Sequence, residues 1–225
     1  MIIFALILVI LIHTNAWCIT DFKKTLREQV SKGHIPLGYK TARKVLFGKI
    51  YLQPDGLIQD IYCQINFTES DGVGPFKIPE HKRLNTEHAW PQTRFSKDFP
   101  HHMQKSDLFH LFPTANWANS YRGNLLFGED ERSDLIPGCP TSKRGLKSFT
   151  PPDDVKGDLA RALFYFSIRY NVSIDDLEEG YLRKWHKEDP VDGFEMEKND
   201  MVEEYQGNRN PFIDNPEILN LLEDF

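Results

Sequence analysis

Apolar residues recur along this chain with two periods, and each change of period marks a new element. From Ile19 to Lys32, Phe22, Leu26 and Val30 fall four apart, which puts them on one helical face, and Gly33 ends the predicted helix. Tyr39–Phe47 (YKTARKVLF) reads as a second helix closed by Gly48. Ile50–Leu52 and Leu57–Phe67 alternate apolar and polar residues on either side of Pro54-Asp55-Gly56, the pattern of a strand hairpin. Asp71–Pro79 reads as a loop. Leu84–Trp90 predicts a short strand stopped by Pro91, and Thr114–Arg122 a helix that follows Pro113 and ends at Gly123. Asp130–Pro152, rich in Gly and Pro, predicts irregular backbone. Asp158–Tyr170 carries Leu159, Leu163, Phe166 and Tyr170 along one face and predicts a helix, as do Ile174–Lys187, Met196–Gln206 and the short Pro216–Leu222. The sum is an α+β fold dominated by helices.

The first residues, MIIFALILVILIHTNAW, carry no charged side chain. Their apolar run, Ile2–Ile12, is too short to span a bilayer and matches the apolar core of a secretory signal. Cleavage after Ala16 fits the small-residue rule. Residues 1–17 therefore read as a secretory signal, and 18–225 as a single domain with a sizeable core. The mature protein is expected to be secreted or periplasmic, off the membrane, and monomeric; the competing reading is an uncleaved anchor. Of the three cysteines, Cys18 sits at the processing junction, where Trp17 is too large for a good lipoprotein signal. Cys63 and Cys139 remain as the candidate pair in an oxidising compartment, and no CxxC spacing supports a cysteine zinc site.

Net charge is −6, whereas nucleic-acid binders are more often basic. Net charge governs solubility and nonspecific association, and a cleft can carry the opposite sign locally. The acidic balance lowers expected affinity for polyanions without removing it.

The densest polar stretch is LNTEHAWPQTRF followed by SDLFHLFPTANWANSYRGN, which holds Glu87, His88, Arg94, Asp107, His110, Asn116, Asn119, Arg122 and Asn124. Phosphodiester hydrolysis needs a group that takes a proton from water near pH 7, and imidazole does so. It also needs stabilisation of charge on the phosphoryl and leaving oxygens, which a hard divalent cation held by oxygen ligands supplies. Glu87 offers a carboxylate, His88 a base and an asparagine of the following helix a carbonyl. Asn116, Asn119 and Arg122 share a helical face at three-residue steps. Glu87 and His88, as strand neighbours, point to opposite faces, so a common site requires the strand to twist, bulge or end there.

These residues resemble the endonuclease I family of secreted and periplasmic bacterial nucleases. The resemblance rests on Glu87-His88-Ala89-Trp90-Pro91-Gln92, Ser106-Asp107-Leu108-Phe109-His110-Leu111-Phe112-Pro113-Thr114, Asn119-Ser120-Tyr121-Arg122-Gly123-Asn124 and Phe127-Gly128-Glu129. Lys156-Gly157-Asp158, Trp185-His186, Asp189-Pro190-Val191 and Gln206-Gly207-Asn208-Arg209-Asn210-Pro211-Phe212-Ile213-Asp214 extend it over nearly the whole mature chain. It implies a ββα-metal (His-Me finger) core and metal-dependent hydrolysis of DNA, with RNA left open, through backbone phosphates. His88 would be the general base, and Glu87 and Asn119 the ligands of one Mg2+, with Mn2+ or Ca2+ as substitutes; Asn116 is the rival ligand. Arg122 and Arg94 would grip phosphate, while His110, Asn124 and Asn116 would support. The chain departs from the pattern at Phe109, where many relatives have His or Tyr, and at Lys198, where relatives often have Arg.

Plainer readings stand beside these. Asp107 reads as a turn or helix-start residue, His110 as support for a neighbouring group, and His101-His102 as solvated. Arg122 could hold a structural carboxylate instead of a phosphate. Asp175–Glu188 reads as a solvated helix face, and Asn208–Asp214 as a packing motif. Asn66 and Asn171 begin glycosylation sequons, relevant only in a eukaryotic secretory pathway. The rival function classes are a nucleic-acid-binding protein of the same fold without catalysis and a structural envelope protein.

Overall fold

A computed structural model describes residues 22–225. The leader, Cys18 and the first residues of the Ile19–Lys32 helix lie outside the described residues. Helix α1 spans residues 22–31 and buries Leu26 and Val30. Gly33 ends it at φ 81° against Gly207, itself at φ 81°; a Cβ on Gly33 would lie 2.4 Å from the Gly207 carbonyl oxygen. This close approach ties the end of the first helix to the C-terminal part of the chain.

Helix α2 (Tyr39–Val45) does not stop at Gly48. It runs into a π turn, Leu46–Ile50, in which Tyr51 N–H donates to the Leu46 carbonyl five residues back. Gly48 is buried inside that turn rather than capping it. The expected hairpin is also different. Ile50 belongs to the π turn, and Pro54-Asp55-Gly56 is a turn that joins no paired strands. The pairing is local to β1 (Ile58–Gln59) and β2 (Asn66–Phe67), which run antiparallel.

Strand β3 (Leu84–His88) forms as expected. After the short helix α3 (His101–Lys105), Leu111–Ala115 forms β4, which pairs antiparallel with β3 from Leu84 opposite Ala115 to His88 opposite Leu111. The sequence reading placed Thr114 in a helix because Pro113 resembles a helix start. Instead Pro113 sits inside β4, where its carbonyl accepts from Ile61 N–H, and helix α4 covers only Asn116–Arg122. Gly123, at φ 58°, ends α4 as expected.

The segment read as irregular contributes three strands. β5 (Leu126–Phe127), β6 (Asp134–Leu135), β7 (Lys143–Arg144) and β8 (Ser148–Thr150) form a sheet in the order β5-β8-β7-β6, parallel only between β5 and β8. Cys63 and Cys139 are disulfide-bonded. Helix α5 (Lys156–Tyr170) is buried nearly all round, beyond the single apolar face in its sequence, as befits a helix surrounded by other elements. Helix α6 (Asp176–Glu188) is capped by Asp175 and corrects the solvated-face reading. Glu178 and Glu179 are buried, bound to Arg94 and to Arg183. Helices α7 (Gly193–Gln206) and α8 (Pro211–Asp214) follow, and Phe212 packs on Phe164 and Phe225, so the Asn208–Asp214 motif closes the core as read. The architecture is mixed helix and sheet with helices dominant. Among the described residues no helix is long and apolar enough to cross a membrane.

Candidate active site

Strand β3, the segment after it, the start of α2 and the end of α4 line an open cavity of about 250 Å³. Its walls include Glu87, His88, Asn119, Arg122 and Asn124, joined by Tyr39, Thr86 and Gln92. The strand stops at His88, and both Glu87 and His88 are among the residues that line the cavity at that end. A larger cavity of about 460 Å³ beside the π turn contains none of the candidate residues.

Glu87 is 2 % exposed. Its Oε1 accepts from the Tyr62 hydroxyl at 2.7 Å and meets Arg122 Nη1 at 2.9 Å. Burial raises its pKa, opposed by the Arg122 guanidinium and the Tyr62 hydroxyl. Arg122 is itself buried. Nη1 also donates to the His88 carbonyl and Nη2 to the Ala89 carbonyl at 2.6 Å, while the guanidinium lies over the Phe127 ring. The guanidinium therefore clamps the end of β3 and holds the buried carboxylate.

His88 is held at two nitrogens. Nε2 lies 3.1 Å from the Lys105 carbonyl, and Nδ1 lies 3.4 Å from the Gln92 amide nitrogen. A carbonyl only accepts, so Nε2 carries the proton and Nδ1 presents its lone pair beside Gln92. Lys105 ends α3, where helical carbonyls lack intrahelical partners and are free to fix a ring. Burial holds the His88 pKa well below the usual histidine value, assisted by His110, so the ring is neutral at pH 7. His110 is fully buried, donates from Nε2 to the Gln104 carbonyl and packs edge-on against His88. Burial lowers its pKa to about 4.

The two asparagines differ. Asn119 lines the cavity, and its Nδ2 points to the Thr86 carbonyl at 3.4 Å. That orientation leaves Oδ1 without a protein partner among the described residues. Asn116 Oδ1 accepts from Asn85 Nδ2 and does not line the cavity. Glu87 and Asn119 together offer hard oxygen donors suited to a magnesium-like cation whose other positions are filled by waters and phosphate. No group of three or more His, Cys, Asp or Glu able to hold a metal occurs among the described residues.

Other candidates sit elsewhere. Arg94 pairs with Glu178 at 2.9 Å, lies over the Trp90 ring and does not reach the cavity walls. Asp107 starts the turn at Leu108–His110, as read from the sequence, and also accepts from the hydroxyls of Tyr165 and Tyr170. Lys198 is buried against Phe112 and donates to the Tyr51 hydroxyl. His101 and His102 are exposed. Sequence reasoning missed Tyr39 and Tyr62, whose local patterns carry no sign of the site. Gln92 was within the quoted motif but had no assigned role.

Comparison with known proteins identifies the family. The profile described as Endonuclease I matches residues 19–217. An extracellular ribonuclease of Bacillus amyloliquefaciens is 40 % identical over 130 residues, covering 50 % of this chain and 44 % of that protein. Endonuclease-1 of Buchnera aphidicola is 26 % identical over 177 residues, 67 % of this chain and 71 % of that protein. An extracellular deoxyribonuclease of Aeromonas hydrophila is 26 % identical over 179 residues, 68 % of this chain and 78 % of that protein. Against the Bacillus ribonucleases the chain spans about half of their length. With the profile running from α1 through α8, the chain belongs to the endonuclease I family.

Proposed function

We propose that this protein is an exported, divalent-cation-dependent endonuclease that hydrolyses DNA, and RNA as well, without sequence specificity. In this reading β3, β4 and α4 are the ββα-metal core. The observation that carries it is one small cavity walled by a neutral imidazole of fixed tautomer, a buried carboxylate and an asparagine with an unused carbonyl. The leader-like residues 1–17 and the extracellular nucleases among the relatives support export and nucleic-acid substrates.

His88 Nδ1 takes a proton from water as the oxygen attacks phosphorus, and the bond to the 3′ oxygen breaks to leave a 5′-phosphate and a 3′ hydroxyl, whose proton comes from solvent. Its Nε2 bond to the Lys105 carbonyl holds the ring and stabilises the imidazolium that forms. Gln92 Nε2 donates to Nδ1 at 3.4 Å in this structure and yields that position to the water. Glu87 and Asn119 would hold the cation, magnesium in the first instance. When bound, it would offset negative charge on the phosphoryl and leaving oxygens. Tyr62 and Arg122 fix Glu87 in place. Recognition runs through the backbone, since among the described residues no element is presented as a groove-reading helix.

The test is incubation of the full-length mature protein with supercoiled plasmid and with a folded RNA, in magnesium and in excess chelator. Nicking followed by linearisation in magnesium alone is expected. Chelator-insensitive cleavage would remove the cation from the account, and absence of cleavage under both conditions would leave a binding protein of the same fold.

A further inference from the structure

Both arginines singled out from the sequence are already occupied. Arg94 is bound to Glu178 away from the cavity, and the Arg122 end nitrogens are bonded to Glu87 and the carbonyls of His88 and Ala89. A nucleic-acid strand crossing this cavity carries one charge per nucleotide, and the flanking phosphates need partners that neither arginine is free to supply.

Two other cations lie beside the cavity, against its wall residue Tyr39, without lining it themselves. Tyr39 lines the cavity with its ring stacked on His88, centroids 5.6 Å apart. Lys105 Nζ lies 4.5 Å from the Tyr39 ring centre, within cation–π range. Arg43, one turn along α2 from Tyr39, places its guanidinium 5.7 Å from the same ring and donates from Nε to Thr86 Oγ1, another wall residue. Neither Arg43 nor Lys105 has a carboxylate within ion-pair distance among the described residues. Lys40 and Lys44 extend the same helix as exposed cations. The single carboxylate in the cavity wall, Glu87, is paired inward with Arg122. Two like charges gathered on one ring without a counter-ion repel each other, and an anion at the mouth relieves that repulsion. On a chain of net charge −6 this is a local positive rim beside the candidate base.

We infer that Arg43 and Lys105, gathered on Tyr39, grip the backbone phosphates of a nucleic-acid strand on either side of the one placed before His88. This inference rests on the nuclease reading and adds the residues that hold the substrate. Each contact releases counterions, so it carries its own salt dependence.

The test uses the full-length mature His88→Ala protein, which is expected to bind without cutting, and a fluorescently labelled 20-mer duplex in chelator. The dissociation constant is measured from 50 to 200 mM salt. Arg43→Gln and Lys105→Gln are each expected to reduce the slope of log affinity against log salt by about 0.9, which narrows the affinity loss across that range about threefold. Arg43→Lys and Lys105→Arg keep the charge and are expected to keep the slope, and Lys187→Gln, at an exposed position of α6, serves as the control. In the cleaving protein the Gln variants should raise KM more than they lower kcat, which a purely structural role would not produce. Binding by the parent with unchanged slopes in both Gln variants overturns the grip and leaves the nuclease reading intact. A parent that does not bind, together with a His88 protein that does not cleave, removes both.

Discussion

A carboxylate buried as deeply as Glu87 tends to take up a proton unless something opposes it, and a protonated acid is a poor cation ligand. Arg122 and the Tyr62 hydroxyl provide that opposition through Oε1. Tyr62→Phe removes one of the two and leaves the shape almost unchanged. The variant is expected to need 10- to 100-fold more magnesium for half-maximal cleavage, on the order of what lost outer-shell contacts cost elsewhere; a magnesium titration of plasmid nicking measures it, and an unchanged requirement counts against this role for Tyr62. His110 yields a prediction of a different kind. Its pKa of about 4 in the folded chain lies below the unfolded value of 6.5, so the unfolded chain binds more protons between them. The neutral ring therefore contributes stability that is complete above pH 6.5 and is lost as pH falls towards 4, on the order of 3 kcal/mol in all. Urea unfolding at pH 7 and pH 4.5 should show a smaller fall for His110→Gln than for the unmodified protein. Glu87, His88 and Asn119, which line one cavity, were singled out in the sequence because chemistry limits the residue types that suit the proposed tasks. Tyr39, Tyr62 and the carbonyl of Lys105 were not, because their roles depend on long-range contacts that spacing does not record.

At the scale of elements, strand β3 and helix α4 were readable from local pattern, and β4 was not. Every residue of β4 is buried, so it shows no alternation, and Pro113 imitates a helix start. The strands between Asp134 and Thr150 are two or three residues long, too short for a period to emerge. Gly48 shows the converse error, since a glycine after an apolar helical run suggests a terminator. Here the constraint is space: a Cβ on Gly48 would lie 2.1 Å from Phe76 N. Gly48→Ala must therefore push α2 and its π turn off the loop at Phe76. It is expected to cost about 1–3 kcal/mol, the usual range for overpacking, read as a fall in thermal midpoint. A variant as stable as the parent would contradict this packing.

Across the whole molecule, the Cys63–Cys139 bond joins positions 76 residues apart and secures the segment that begins next to Tyr62. Thr141 and Ser142 donate to the Tyr62 carbonyl, so the cross-link and the Glu87 partner belong to one neighbourhood. Loop-closure entropy for that span predicts a stabilisation of roughly 4 kcal/mol. Cys63→Ser should lower the urea midpoint accordingly, and an unchanged midpoint would mean that the bond does not form in the folded protein. The acidic surface and the positive rim are compatible because net charge and local potential act at different distances. The measurement that bears most directly on the account is the single-turnover rate of plasmid cleavage in magnesium by His88→Ala, with its fold checked by circular dichroism. Loss of His88 as base predicts a fall of at least about 100-fold, whereas cleavage at the unmodified rate would contradict it.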